Sequence, residues 1–297
     1  MTSTDKEMRF EFGQNWKDFV DRSFSEERLA VAQKKILDFT GLKDLEGFDF
    51  LDIGCGSGIH SFGAFRSKAR KLHSFDYDRN SVAATQIMRE KAGLPENWKV
   101  EWGDVLDQAY VDKLGKWNFV YSWGVLHHTG EMWRAVRNAQ RPVAENGYFY
   151  IALYSADVDL RPSKEFWLEV KKKYNEASPA KKRMMVGWYV WRFGMSRNPL
   201  LFPLVLYRIA KHRHQRGMNY FSDVRDWLGG WPMEYAPDQE VVDILEGEYG
   251  FKLANVATGE ACTEFLFIRS GAPPKRTVVT EMMAAKKMKL AAAKQAP

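Results

Sequence analysis

The chain has 297 residues, of which 45% are hydrophobic and 28% are charged, and it contains two cysteines. That length supports one main domain with an elaboration. Cys55 and Cys262 belong to no Cys-x-x-Cys or Cys/His ligand pattern, which argues against disulfides and structural zinc and favours a cytoplasmic protein. The first residues lack the pattern of a secretory signal, and no apolar run approaches the roughly 18 residues that a membrane-spanning helix needs.

The net charge of +6 is unevenly distributed along the chain. Residues 161–216 carry 14 Lys/Arg against 3 Asp/Glu, and residues 272–297 carry 6 against 1. The rest of the chain is therefore acidic. This pattern predicts an acidic body that carries a basic insert and a basic tail.

The first half of the chain has an alternating pattern. An amphipathic helix begins after Ser25 and ends at Gly41, and short apolar runs then alternate with helical patterns. The predicted strands are 48–53, 71–75, 98–102, 119–122 and 148–154, and the predicted helices are 59–66, 80–92, 107–114 and 131–140. Such alternation with short links predicts a parallel sheet covered by helices on both faces.

The alternation stops after residue 160, and the insert is predicted to form two or three helices. Two stripes of large side chains each fall on one helical face: Phe166, Val170 and Tyr174, and then Met184, Trp188 and Trp191. One more helix (238–249) and two strands (251–257 and 262–269) follow. Residues 271–297 have few large apolar side chains, which predicts a flexible or fraying helical tail.

The segment FLDIGCGSGIH is typical of a strand, a tight turn and the start of a helix, with glycines at positions 54, 56 and 58. Glycines there let the backbone approach a ligand whose polar groups meet free amides at the helix start. A dinucleotide fingerprint would need glycine at position 59, where the chain has Ile59. Carboxylates end the next two strands, Asp76 suited to ribose hydroxyls and Asp104 to an adenine amino group. Cys55, inside the turn, is expected to be a small packed side chain, because no partner base is visible.

Together with the SWGVLHH segment that ends the fourth strand, these motifs resemble the class I S-adenosylmethionine-dependent methyltransferases over about residues 10–155. The resemblance implies an α/β fold, a Rossmann-like, seven-stranded, mostly parallel sheet with a helical cap insert, and S-adenosyl-L-methionine (SAM) as cofactor. It places the three glycines at the methionine part and Asp76 at the ribose. Asp104 and Val105 would frame the adenine, and Ser122 would lie near the sulfonium. The cofactor-binding residues predicted in this way are Asn15, Trp16, Asp52, Gly54, Gly56, Gly58, Asp76, Tyr77, Asp104, Val105 and Ser122.

More narrowly, the chain resembles a bacterial subgroup with an FGxNW segment, here Phe12 to Trp16, and a DWLGGWP segment, here Asp226 to Pro232. Where the family usually has Pro-Gly-Gly before strand five, this chain has Glu145-Asn146-Gly147, and asparagine tolerates a positive φ. The predicted regions are an N-terminal helical lid (1–40), a SAM-binding core (41–160 and 236–270), a basic, aromatic helical cap (161–235) and a flexible tail (271–297).

Two adjacent histidines, His127 and His128, follow the fourth strand and are the candidate catalytic residues. Methyl transfer from a sulfonium is an in-line displacement, so alignment is the main contribution of the protein, and an oxygen acceptor must also lose a proton. One histidine could be the base. Alternatively both line the pocket, which the resemblance favours. Adjacent residues do not share a direction, and His212 and His214 lie among basic residues, so we predict no metal.

Two segments could close the acceptor pocket. FGQNWKDFV spaces Phe12, Trp16 and Phe19 as a helical stripe that could form a lid over the cofactor or pack in the ordinary way. Residues 217–235 combine aromatic residues, carboxylates and a Gly-Gly pair in a loop-like sequence, which could bind the acceptor or only join the insert to the sheet. The candidate acceptor-binding residues are Tyr220, Asp223, Asp226, Trp227, Trp231, Glu234 and Tyr235.

The basic insert permits several interpretations. It could hold an anionic small substrate, bind RNA through phosphates, rest on an acidic membrane surface or form a solvated face. The leading prediction is an enzyme that methylates a small molecule, with an oxygen of a sugar- or metabolite-type substrate favoured. The alternatives are a tRNA-modifying methyltransferase, a methyltransferase acting on a lipid- or quinone-like acceptor, and a binding protein without catalysis. The sequence contains no recognisable RNA-binding module.

Overall fold

The computed structural model describes Val20 and residues 24–194, 220–270 and 276–295. A seven-stranded sheet with the order β3-β2-β1-β4-β5-β7-β6 forms its centre. Neighbouring strands are parallel except that β7 runs antiparallel to both β5 and β6. The strands are β1 (Asp49–Ile53), β2 (Lys71–Asp76), β3 (Trp98–Trp102), β4 (Trp117–Trp123), β5 (Val143–Tyr154), β6 (Phe251–Thr258) and β7 (Cys262–Arg269). The predicted Rossmann-like, mostly parallel sheet is confirmed.

The helices of the first half begin and end within about two residues of their predicted bounds. The helices are α1 (Glu26–Thr40), α2 (Ile59–Arg66), α3 (Arg79–Lys91), α4 (Gln108–Lys113), α5 (Met132–Ala139), α6 (Lys164–Asn175), α7 (Pro179–Tyr189), α8 (Tyr220–Gly229), α9 (Asp238–Tyr249) and α10 (Val279–Gln295). Ser25 caps α1 by accepting from the Arg28 amide, and Gly41 ends it with a left-handed φ of 71°. Asn146, near the start of β5, has a φ of 58°, as its amino-acid type allows.

Helices cover both faces of the sheet because adjacent strand residues point to opposite sides. In β1, Phe50 packs in the core beneath α1, α2 and α3, whereas Leu51 packs in the core beneath α5, α9 and α10. In β4, Phe119 packs in the same core as Phe50, and Val120 packs in the same core as Leu51. The central strands are therefore apolar on both sides, and their polar groups are concentrated at the ends.

The cap, defined as α6, α7 and α8, has a small core of its own. Its buried residues are Trp167, Val170, Tyr174, Val224, Leu228 and Met233. Phe166 departs from the predicted stripe, since it is 38% exposed while its neighbour Trp167 is buried. The prediction of a loop-like segment was also wrong for residues 220–229, which form α8. A buried face of Val224 and Leu228 accounts for that helix, because the two residues lie four positions apart.

The C-terminal segment forms a helix, which was one of the two predicted alternatives, and the start of this helix packs against the core. Val279, in the first turn of α10, is buried, and Met282 and Met283 pack against the same core. Lys286 donates to the side-chain oxygen of Asn255 at 2.8 Å. A few apolar side chains on one face are enough to attach the helix to β6.

Some predicted features lie outside the described residues. They are the FGxNW segment with Asn15 and Trp16, the stripe of Phe12 and Phe19, His212, His214 and the side chain of Asp223. Within the described ranges, no helix is long and apolar enough to cross a membrane.

Candidate active site

The glycine loop between β1 and α2 is hydrogen-bonded to the end of β2. The amides of Gly54 and Cys55 both donate to the Phe75 carbonyl, at 2.8 and 3.1 Å. The Gly56 amide donates to Oδ2 of Asp76 at 3.0 Å, and the other oxygen of that carboxylate accepts from the Asp78 amide at 2.9 Å. Asp76 thus fixes the loop and stands half-buried at the carboxyl edge of the sheet. Each carboxylate oxygen can accept more than one hydrogen bond, so Asp76 keeps capacity for ligand hydroxyls.

Two exposed aromatic residues flank this carboxylate. Tyr77 is 46% exposed and Trp102, at the end of β3, is 45% exposed, and their ring centroids lie 6.2 Å apart. The Trp102 indole donates to the Tyr77 carbonyl at 2.8 Å. Large aromatic groups at a strand edge suit the stacking of a flat ring. Tyr77 was among the predicted site residues, and Trp102 was missed although its place at the end of a strand could have indicated it.

Asp104 and Val105 lie one strand further along the same edge. Asp104 is half-buried, and its Oδ1 accepts from the Leu106 amide at 2.8 Å, which shapes the turn after β3. Val105 is buried, and its carbonyl accepts from the Asn138 side chain at 2.8 Å. The structure therefore brings both residues to the edge that carries Asp76.

Asp52 and Ser122, two further predicted cofactor residues, use their side chains inside the protein. Asp52 is buried, and it accepts from Ser61 Oγ at 2.5 Å, whose hydroxyl also lies 2.7 Å from Ser74 Oγ. Burial raises the pKa of Asp52 to about 7. Ser122 is fully buried and donates to the Ile53 carbonyl at 3.0 Å. Both side chains support the strand ends next to the loop, and their cofactor contacts stay a prediction.

The thiol of Cys55 is packed inside the loop, as expected. It is buried and accepts from Thr85 Oγ1 at 3.2 Å. Burial raises its pKa well above the ordinary value, with the Asp76 and Asp52 charges adding to the effect. A neutral, buried thiol is a poor nucleophile.

Close packing explains two of the loop glycines. A Cβ on Gly54 would lie 2.3 Å from one γ-carbon of Val125, and a Cβ on Gly58 would lie 2.9 Å from the Cα of Thr85. Both glycines also have positive φ, 75° and 77°. The loop therefore sits directly against the segment after β4 and against α3.

Replacing Gly54 with alanine should destabilise the protein by about 2–4 kcal/mol, because the left-handed backbone and the overlap with Val125 both cost free energy. Gly115→Ala is the matched control, since Gly115 has a φ of 74° and nothing within 4 Å of its Cβ position. The control should lose only about 1–2 kcal/mol. Urea denaturation of both variants gives the comparison, and equal losses would show that Val125 gives way at no cost.

The two histidines form a 3₁₀ turn, Leu126–His128, after β4. His127 is buried, and its Nδ1 accepts from the Tyr154 amide at 3.3 Å. Burial lowers the pKa of His127 well below its ordinary value, and the charges of His128 and Lys171 act in the same direction. The Nδ1 of His128 donates to the Pro232 carbonyl at 2.7 Å. Both rings are thus hydrogen-bonded to main-chain groups. The centroids of the two rings are 4.4 Å apart.

The segment after α8 is attached to this turn. The Glu234 amide donates to the His127 carbonyl at 3.0 Å, and the Ala236 amide donates to the Tyr154 carbonyl at 3.1 Å. The Glu234 carboxylate accepts from the Met132 amide at 3.0 Å, at the start of α5. Burial raises the pKa of Glu234 despite this hydrogen bond. Glu234 therefore stabilises a helix N-terminus in this structure, and its predicted contact with the acceptor is not needed to explain its position.

Aromatic residues from β5, from α8 and from the segment after α8 gather beside the histidines. The ring centroid of Tyr154 lies 4.0 Å from the centroid of His127, 6.2 Å from that of Trp227 and 5.6 Å from that of Tyr235. Among the described residues, the buried indole N–H groups of Trp227 and Trp231 have no hydrogen-bond partner. Buried donors without a partner favour a ligand or water as their acceptor.

Two further predicted acceptor residues, Tyr220 and Asp226, lie on α8. Tyr220 packs at the edge of the cap core, with its ring 5.6 Å from that of Phe221. Asp226 is half-buried in α8, and its charge acts on Lys171. The structure thus brings the rings of Trp227 and Tyr235 to the ring of Tyr154.

Lys171 is a residue that sequence analysis missed. It is fully buried, it donates to the Trp227 carbonyl, and its Nζ lies 4.4 Å from the centre of the Trp227 ring. Burial lowers its pKa to about 7, against a smaller opposite effect of Asp226. Asn175 on the same helix donates to the Gly229 carbonyl at 2.7 Å. The two side chains lie four residues apart on one face of α6, and together they hold the end of α8.

This sheet order and a glycine loop beside a strand-end carboxylate define a Rossmann-like methyltransferase. Residues 44–192 match the model of a family described as methyltransferase domain, and the chain belongs to that family. It is a SAM-dependent methyltransferase, so the predicted enzyme class and cofactor are confirmed. No curated protein matches the chain at a significant level.

Solved structures share the fold at low sequence identity. An O-methyltransferase family protein from Burkholderia thailandensis is 12% identical with a TM-score of 0.52, covering 86% of this chain and 59% of that one. Magnesium protoporphyrin IX methyltransferase from Synechocystis PCC 6803, with bound SAH, is 13% identical with a TM-score of 0.50, covering 90% and 98%. PKMT2 from Rickettsia typhi in complex with AdoHcy is 13% identical with a TM-score of 0.54, covering 83% and 54%. This chain thus spans less than two thirds of the first and third proteins.

Proposed function

We propose that this methyltransferase acts on an oxygen atom of a small-molecule acceptor. The observation that carries the proposal is the aromatic cover formed by Tyr154, Trp227 and Tyr235 beside the histidine turn, next to the glycine loop. Hydrogen bonds from Glu234 to His127 and from His128 to Pro232 attach this cover to the end of β4. An aromatic cover over this edge of the sheet suits a small acceptor better than a nucleic acid, which needs an open, charged groove.

The residues at the sheet edge fit the cofactor. Asp76 would accept from the ribose hydroxyls, Tyr77 and Trp102 would contact the adenine, and the turn at Gly56 would lie at the methionine part. Asp104 and Val105 stay candidates for the adenine edge. When bound, SAM supplies an electrophilic methyl group on a sulfonium. The chain itself aligns the acceptor with that methyl and excludes water.

The indole groups of Trp227 and Trp231 favour an oxygen atom as the atom of the acceptor that is methylated. Their buried N–H groups can donate to oxygen atoms of the acceptor and so orient it. The aromatic rings nearby would bury its apolar part. A sugar- or metabolite-type molecule with a hydroxyl group is the class that this arrangement fits.

Between the two histidines, His128 is the better candidate for the base. The Nδ1 of His127 already accepts from Tyr154, and its low pKa keeps the ring neutral and poorly basic. In neutral His128 the proton resides on Nδ1, which donates to Pro232, so Nε2 is the acceptor nitrogen. His128 would take the hydroxyl proton as the oxygen attacks the methyl carbon, while His127 would shape the wall.

A screen of small hydroxylated metabolites with methyl-labelled SAM tests the function, with tRNA as a parallel substrate. We expect labelled small-molecule product and an unlabelled RNA fraction. Label in tRNA only would refute the small-molecule assignment.

With an acceptor in hand, His128→Gln should lower kcat by about 10²-fold to 10⁴-fold, because a glutamine cannot take up the proton. The dissociation constant of SAM, measured by calorimetry, should stay the same. His127→Gln is the matched control and should show a smaller loss of kcat. Full activity of His128→Gln would leave both residues as parts of the pocket wall.

A further inference from the structure

The outer face of the cap exposes large apolar side chains. Met184 on α7 is 71% exposed, and Trp191, in the turn that follows α7, is 67% exposed. No residue of α7 is buried. The sequence had placed these two residues with Trp188 on one helical face, but only Trp188 packs against the cap core. Exposed large apolar groups that cluster on one element commonly mark an interaction surface.

The same face is strongly basic. Lys181, Arg183 and Arg192 are exposed beside Met184 and Trp191. Residues 177–194 contain four Lys/Arg and neither aspartate nor glutamate. The described part of this segment therefore carries positive charge with no carboxylate of its own. An electrostatic partner of α7 must therefore be anionic.

We propose that this outer face, defined by Lys181, Arg183, Met184, Trp191 and Arg192, docks on the surface of an anionic phospholipid bilayer. Basic side chains attract the anionic headgroups, while tryptophan and methionine insert at the boundary between headgroups and acyl chains. A nucleic acid would use the charges, but it would leave the protruding Met184 side chain without an apolar partner. The docking is peripheral and makes no use of the proposed acceptor.

Docking of this face would orient the protein relative to the membrane. The cap contacts Tyr154 through Trp227 of α8, and no residue of α7 is buried. Docking through α7 would therefore fix how the cap, and the candidate acceptor site that it contacts, is oriented relative to the membrane. Molecules that partition into the membrane surface would be concentrated near the cap.

Sedimentation of the full-length protein with lipid vesicles tests the proposal. We expect binding to phosphatidylcholine vesicles that contain roughly 30% phosphatidylglycerol and little binding to phosphatidylcholine alone. Binding should fall strongly between about 0.1 and about 0.5 M salt, because screening shortens the reach of the charges. Equal binding to both vesicle types, or binding to neither, would overturn the proposal.

Charge reversal identifies the surface. The double variant Lys181→Glu/Arg183→Glu should weaken vesicle binding by about tenfold or more. Lys43→Glu/Lys252→Glu makes the same change in net charge at exposed positions outside the cap. It should bind nearly as well as the wild type. If both pairs weaken binding equally, net charge alone is responsible and α7 is not the docking face.

A second pair of variants tests how much the apolar side chains contribute to vesicle binding. Met184→Ser/Trp191→Ser should reduce binding at every salt concentration, whereas Leu94→Ser/Met288→Ser, which changes exposed residues elsewhere, should not. Thermal unfolding and SAM affinity report whether each variant is folded. A tRNA gel shift completes the test: tRNA binding that depends on Lys181 and Arg183, without any binding to vesicles, would assign this face to nucleic acid instead.

Discussion

Replacing Asp76 with asparagine should weaken SAM binding by about 100-fold or more, as measured by calorimetry. The carboxylate accepts from the amides of Gly56 and Asp78, and it is the group placed to accept from the ribose. An asparagine of the same shape keeps one acceptor oxygen and replaces the other with a donor. Each lost hydrogen bond to a charged group costs roughly 1.5–3 kcal/mol, and two of them account for the expected loss.

The same substitution two residues later is the control. Asp78 caps α3 by accepting from the Asn80 amide at 2.8 Å, and asparagine caps helices about as well as aspartate. Asp78→Asn should therefore keep SAM affinity within a few-fold of the wild type. Both variants should unfold near the wild-type temperature. An Asp76→Asn variant with unchanged affinity and an intact fold would remove Asp76 from the cofactor site.

Replacing Lys171 with methionine should change how the stability of the protein depends on pH. Burial lowers the pKa of Lys171 from 10.5 to about 7, so between these values the unfolded chain holds a proton that the folded protein lacks. The contribution of Lys171 to the free energy of unfolding therefore rises with pH from about 7 to about 10.5. Each pKa unit corresponds to about 1.4 kcal/mol, which makes the full change on the order of 5 kcal/mol.

Denaturation of the wild type and of Lys171→Met at several pH values gives the comparison. Near pH 10 the variant should be less stable, because the Trp227 carbonyl loses its donor. Towards pH 7 that disadvantage should shrink or reverse, because the wild type must then bury a charge. Lys172→Met, at the exposed neighbouring position, should follow the wild type throughout. A constant difference between Lys171→Met and the wild type would mean that Lys171 is not neutral in the folded protein.

The loop glycines illustrate where sequence reasoning reached the right position for an incomplete reason. The motif predicted that Gly54 lets the backbone approach a ligand. In the structure a Cβ at Gly54 would instead overlap with Val125, which is separated from it by about 70 residues of chain. A spacing pattern records that a side chain is forbidden at a position. The pattern cannot identify the neighbouring residue that excludes the side chain, because that residue, Val125, follows a different strand.

The cap shows a second limit. Apolar spacing predicted its helices and placed Met184 and Trp191 on one face with Trp188, but it did not show that Met184 and Trp191 would be exposed. Lys171 was read as one charge among fourteen, although the fold buries it completely. Burial of a long side chain depends on which elements meet around it, and a single helix pattern does not determine this.

The sequence by itself determined the parallel sheet, the strand ends that carry Asp76 and Asp104, the methyltransferase class and the basic character of the insert. Each of these depends on local order along the chain: alternation of strands and helices, glycines before a helix, and the density of charges. Only the tertiary structure decided that His127 and His128 hold the main chain of residues 232–236, that Lys171 supports α8, and that α7 faces outward. These relations join residues that are distant in sequence, and they follow from packing, which no local pattern contains.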